Sequence, residues 1–144
     1  MWTWVAIDAD TKLIPTGFIG GRDAGAAYHF MHDLADRLAN RVQLAQCMGA
    51  RKATQSGKPE WNHISTSYVE RQNLTMRMSM KRFARLSNGF SKKVENHEHM
   101  VALHYLYYNF GRIHQTLRVT PAMEAGVADH VWSIDEIISL LDAR

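Results

Sequence analysis

The chain has few of the residues that would tie it to a secreted or membrane protein. It holds one cysteine, Cys47, in 144 residues, so an internal disulfide is excluded and a reducing compartment is expected. Cys47 reads as a small apolar filler. No apolar run approaches the roughly 20 residues that span a bilayer, and Met1-Trp2-Thr3-Trp4 shows neither the basic nor the apolar region of a signal peptide. The expectation is a cytoplasmic protein without membrane contact. There are only three prolines, and no repeat or low-complexity tract. The eight histidines predict no metal site. His97, His99 and His104 are joined by neither i,i+3 nor i,i+4 spacing, and His29 and His32 have no evident third ligand. Acids are scarce in one place above all: none occurs between Asp36 and Glu60.

What is present is a concentrated block of positive charge. The net charge is +3, yet residues 51–93 hold ten Lys/Arg against two acids, Glu60 and Glu70, a local excess of +8. Such a block points to a polyanion, most often nucleic acid; a solvated helix face is the plain alternative. The length suits one domain, 1–144, with a core of its own.

The pattern predicts a mixed α/β domain. Residues 2–8 read as an apolar strand followed by a turn at Ala9-Asp10-Thr11, and 12–20 as a second strand with Pro15 at an edge or bulge. Asp23 caps a helix to about Asn40, with Tyr28, Met31, Leu34, Ala35 and Leu38 on its core face. Residues 41–44 form a short third strand and 45–62 a loop. A long helix covers 65–85, another about 91–109, with a turn around Ser87-Asn88-Gly89 between them. Thr120-Pro121 opens a short helix, and Ser133 and Glu136 form the capping box of the last one.

Three features carry chemistry. Asp8 ends an apolar strand, where an ionised carboxylate needs a partner or a metal; a paired structural acid and a metal ligand are both open readings. Asp10 suits a turn residue. On the helix over 65–85, Glu70, Arg77 and Lys81 share one stripe at about 100° per residue, a carboxylate at the head of a row of cations. An ion-pair face would produce the same layout. Val69, Met76, Met80 and Phe83 form a separate stripe read as core. The third feature is Tyr108-Asn109-Phe110-Gly111-Arg112-Ile113-His114-Gln115-Thr116-Leu117 with Thr120-Pro121, a polar crossing with a few hydrogen-bonding side chains.

Taken with Trp4-Val5-Ala6-Ile7-Asp8-Ala9-Asp10 and His63 through Asn73, this last stretch makes the chain resemble the insertion-sequence-one-like transposases of the DDE superfamily. The resemblance covers nearly all of the chain except about 45–60. It implies a ribonuclease-H-like fold, a mixed sheet with flanking helices. It also implies Mg²⁺-dependent cleavage and joining of DNA at the ends of a mobile element, two metals clamping the attacking and leaving oxygens. It places the first catalytic and metal-binding Asp at Asp8 and the Glu at Glu70. Arg71, Asn73, Arg77, Lys81, Arg82, Arg85, Lys92 and Lys93 are the expected DNA contacts. DNA is the expected partner, and assembly into a homo-oligomer is compatible with it.

One departure bears on activity. The second Asp of the family belongs just after the strand at 41–44, and this chain reads Ala45-Gln46-Cys47-Met48-Gly49-Ala50-Arg51-Lys52 there. An internal deletion around 45–60 accounts for the loss, and the N-terminal DNA-binding region usual in the family is expected to be missing. Three readings follow: an impaired transposase catalytic domain, a DNA-binding remnant without catalysis, and a small α/β protein with idle motifs.

Overall fold

The computed structural model describes residues 2–40, 44–48, 51–56, 65–83, 89 and 92–142. Strands β1 (Trp2–Val5) and β2 (Gly17–Gly20) pair antiparallel, Trp2 opposite Gly20 and Val5 opposite Gly17. Helix α1 (Ala24–Arg37) follows, then β3 (Leu44–Met48) and β4 (Arg51–Ser56) as a second antiparallel pair. Helices α2 (Thr66–Ser79) and α3 (Val94–Leu106) come next, α3 running on into a π turn at Tyr107–Gly111. The short α4 (Pro121–Glu124) and α5 (Ile134–Asp142) close the chain. No helix among the described residues is long and apolar enough to cross a membrane.

The mixed α/β expectation holds, with differences in how strands and helix faces are arranged. Among the described residues the strands form two separate two-stranded sheets rather than one mixed sheet. The segment read as a loop over 45–62 contains most of β3 and β4. Leu44–Met48 and Arg51–Ser56 lie two residues apart in sequence and zip against each other as a hairpin, a pairing that needs no hydrophobic alternation to close. Arg41, Val42 and Gln43, most of the expected third strand, lie outside the described residues.

The first hairpin is the platform for the core. Hydrogen bonds continue beyond β1 and β2, from the Ala6 amide to the Thr16 carbonyl and from the Asp8 amide to that of Leu13, so the arms run on towards the turn. Ile14 and Ile19 bury against Met76 and Met80 of the α2 segment and Val101, Tyr105 and Tyr108 of the α3 segment, with Val5, Ile7 and Phe83 packed alongside. Each such side chain stabilises by roughly 1.5–3 kcal/mol on full burial. Gly17 is where β2 meets α3: a Cβ there would lie 2.6 Å from the Tyr105 ring. The Tyr105 hydroxyl reaches Met76 Sδ at 3.4 Å.

The local caps follow the sequence. The Asp23 side chain accepts from the Ala26 amide at the start of α1, and Thr120 accepts from Met123, with Pro121 as first helical residue. Glu136 Oε2 accepts from the Ser133 amide while Ser133 Oγ accepts from that of Glu136, closing the capping box.

Two helix faces are corrected. On α1 the buried residues are Ala26, Phe30 and Leu34, whereas Tyr28 is 66% and Met31 43% exposed. Tilted contact of the Trp4 and Phe30 rings, 5.8 Å between centroids, decides which stripe faces inward. Helix α1 also stops at Arg37, with Leu38 extended. On α2 the backbone leaves the helical region at Met80 (φ −116, ψ 114), and Lys81–Phe83 forms a separate 3₁₀ turn. Lys81 therefore falls out of register with Glu70 and Arg77. Val69, expected in the core stripe, is 39% exposed, and α3 begins at Val94 rather than near 91.

Candidate nucleic-acid interface

The turn after β1 is built around Asp8. Its Oδ2 accepts from the Thr11 hydroxyl at 2.5 Å and from the Thr11 amide at 3.1 Å, and its carbonyl accepts from the Lys12 amide at 3.1 Å. Partial burial pushes the Asp8 carboxyl up, but the Thr11 hydroxyl and the amides of Thr11, Asp10 and Ala9 together outweigh it and hold it below the ordinary range. Asp10 sits exposed in the turn, as its sequence context suggests. Lys12 adopts a left-handed backbone, φ +61, uncommon for a residue with a Cβ.

Lys12 turns this loop towards α2. Its ammonium donates to the Ala9 carbonyl and stands 4.0 Å from the centre of the Tyr68 ring, a cation–π contact. Tyr68 lies in the first turn of α2, which Ser65 caps by accepting from the Ser67 amide. Arg71 follows Tyr68 by three residues, a neighbour on the helix surface.

The polar crossing after α3 supplies the third wall. Asn109, in the π turn, receives the Ile14 amide on Oδ1 at 3.0 Å and donates from Nδ2 to the Ile14 carbonyl at 2.8 Å. Arg112 ends the π turn in extended conformation. His114 then opens a tight loop: its amide donates to the Val119 carbonyl at 2.9 Å, and its carbonyl accepts from the Arg118 amide at 2.8 Å, with Arg118 at φ +65. Burial, followed by the charges of Lys12, Arg71 and Arg112, pushes the His114 imidazole below its ordinary value. The Lys12–Tyr68 contact and the Asn109–Ile14 pairing bring the three segments that carry Lys12, Arg71 and Arg112 together. Neither Arg71 nor Arg112 has an ion-pair partner among the described residues.

The other expected site residues scatter. Glu70 is exposed. It lies about 200° around α2 from Tyr68 at roughly 100° per residue, so its side chain leaves the helix away from the surface that meets the Lys12 loop. Asn73 is half-buried and Arg77 exposed. Arg82 donates to the Asn96 carbonyl at 3.4 Å. Lys92 and Lys93 are exposed at the start of α3, and Arg85 lies outside the described residues. Among the described residues no group of three or more His, Cys, Asp or Glu is placed to hold a metal ion. Sequence reasoning missed Lys12, Arg112 and His114. The last two stand inside the stretch that carries the family resemblance, and that was the available signal.

Residues 1–111 match the family model of the IS1 transposase. The match covers more than half of the chain, which therefore belongs to the IS1 transposase family. No curated protein and no solved structure matches it.

Proposed function

We propose that this chain is a transposase-family domain that binds DNA through its phosphate backbone and is impaired in strand cleavage and transfer. The observation that carries the reading is the Lys12 ammonium standing over the Tyr68 ring, three residues from Arg71, on a loop that Asn109 ties to the segment leading into Arg112, beside the turn that holds Asp8, in a chain of this family. In the ribonuclease-H-like arrangement expected of such transposases, a first strand carries the Asp and a later helix the Glu. The turn after β1 and α2 occupy those places in chain order.

Divalent metal ions supply the family's chemistry by clamping the attacking and leaving oxygens of an in-line displacement. The residues present do not fit a two-metal centre. Mg²⁺ takes oxygen ligands in near-ideal octahedral geometry. Here Asp8 is already engaged by Thr11, Glu70 leaves α2 on another side, and the position after β3 carries no acid. What its residues do is present fixed cations to a polyanion. Asp8 and Glu70 remain the proposed counterparts of the family's catalytic acids, and assembly of several copies on DNA ends is compatible with the same reading.

The test is duplex DNA binding by the purified chain, followed by fluorescence anisotropy across a salt series. The expected result is binding with little sequence preference and log affinity falling linearly with log salt. Absence of binding at low salt, or binding indifferent to salt, overturns the reading.

A further inference from the structure

We infer that Lys12, Arg71 and Arg112 form a pre-built seat for one stretch of DNA phosphate, with the left-handed turn at Lys12 and the Asn109 clamp as the devices that hold it open. This rests on the DNA-binding reading above and names the residues that perform it, two of which lie outside the basic block at 51–93.

Three cations in one neighbourhood repel, and an unconstrained chain would separate them. Here the backbone places all three, and the Lys12 side chain is held as well, without a counter-charge. Lys12 is held by its backbone turn, by the Ala9 carbonyl and by the Tyr68 ring. Arg71 is on a regular helix. Arg112 follows directly from the π turn, a helical irregularity that is frequent at functional sites. The buried Asn109 side chain binds both backbone groups of Ile14. It lies three residues before Arg112, and Ile14 lies two after Lys12, so the clamp fixes the spacing between two of the three cations.

His114 opens the loop that follows Arg112, and the charges of Lys12, Arg71 and Arg112 all act on its imidazole. Phosphodiester oxygens are the anion that suits a row of Lys and Arg, because they accept from several donors at once and the chain of phosphates continues past the seat. Binding there removes the field that disfavours the His114 proton, so the imidazole reports occupancy.

The experiment measures DNA affinity against salt for the wild type, Arg71→Gln, Arg112→Gln and Lys12→Asn. Asn is chosen at position 12 because it tolerates the left-handed backbone. Each variant is expected to weaken binding on all sequences and to reduce the salt slope by about one. Lys92→Gln with Lys93→Gln serves as the comparison elsewhere on the basic surface. In parallel, the His114 imidazole is titrated by NMR with and without a short duplex, and with and without inorganic phosphate. The expected result is an upward move with the duplex; the phosphate arm reports whether a single free anion suffices. If the wild type fails to bind DNA at all, the DNA-binding reading falls and this inference with it. If the wild type binds and Arg71→Gln and Arg112→Gln keep its full salt slope, the seat is refuted while the broader reading stands. A His114 titration unmoved by duplex refutes it equally. Arg71→Gln alone, an exposed helical change, decides the matter should the other variants fold poorly.

Discussion

Asn109 and Ile14, 95 residues apart, are joined as two strands would be joined: the Asn109 amide accepts the Ile14 N–H at 3.0 Å and donates to the Ile14 carbonyl at 2.8 Å. Asn109 is 7% exposed and Ile14 3%, so neither backbone group can turn to water instead. Asn109→Ala leaves a buried donor and a buried acceptor unsatisfied, each costing about 1–3 kcal/mol. Loss of roughly 2–6 kcal/mol in urea unfolding is expected. Asn109→Asp is expected to be comparably damaging, because a carboxylate cannot donate to the Ile14 carbonyl. An Asn109→Ala variant as stable as wild type contradicts the clamp.

Gly17 is required by contact rather than by backbone conformation. Its missing Cβ leaves room for the buried Tyr105 ring, which a methyl would approach to 2.6 Å. Gly17→Ala is expected to destabilise by about 1–3 kcal/mol through overpacking. Gly17→Ala combined with Tyr105→Leu is expected to be less than additive. Additive losses would show that β2 and α3 do not meet at this point.

His104 links folding to pH. Burial, with a smaller push from Arg112, holds its imidazole below the ordinary 6.5. The folded state therefore binds its proton less readily than the unfolded state. The stability it contributes is complete above about pH 6.5 and is lost as pH falls from there towards the folded value. His114 is shifted the same way. His130, between Asp129 and Glu136 at 2.6 and 2.8 Å, is pushed up and acts with the opposite sign. The difference between wild type and His104→Gln removes the shared background. Wild type is expected to lose more stability than the variant between pH 7 and pH 5, read by thermal melting. Parallel curves would contradict the assignment.

Thr11 is expected to govern the Asp8 carboxyl. The folded Asp8 is held below its ordinary value, so its contribution is present above about pH 3.9 and is lost as pH falls through the folded value. Thr11→Val removes one donor and is expected to raise the Asp8 titration midpoint, followed by the carboxyl carbon signal. A midpoint that does not rise would show that the hydroxyl plays no part.

The legible parts of this fold are those decided within a few residues. Asp23, Thr120-Pro121 and the Ser133–Glu136 box are local hydrogen-bond patterns, and the structure repeats them. The turn at Ala9-Asp10-Thr11 is local in the same way. The core face of α1 was legible only at Leu34, since Tyr28/Met31/Leu34/Ala35/Leu38 and Ala26/Phe30/Leu34 both satisfy helical spacing and Trp4 of another element chooses between them. The β3–β4 hairpin escaped because Leu44–Met48 and Arg51–Ser56 carry no strict alternation of apolar and polar residues. At the site, family motifs led to Asp8 and Glu70, but nothing near Lys12 in sequence announces Tyr68, Arg71 or Arg112. Those neighbours follow from the Lys12–Tyr68 contact and the Asn109–Ile14 pairing.

One assay tests impaired cleavage most directly: element-end DNA, wild-type protein, Mg²⁺ and Mn²⁺ in separate arms, with bound and cleaved DNA read from the same samples. The predicted result is salt-sensitive complex formation with no strand cleavage or joining in either metal. Cleavage that Asp8→Asn and Glu70→Gln abolish would contradict it, and would mean that another group replaces the acid missing after β3.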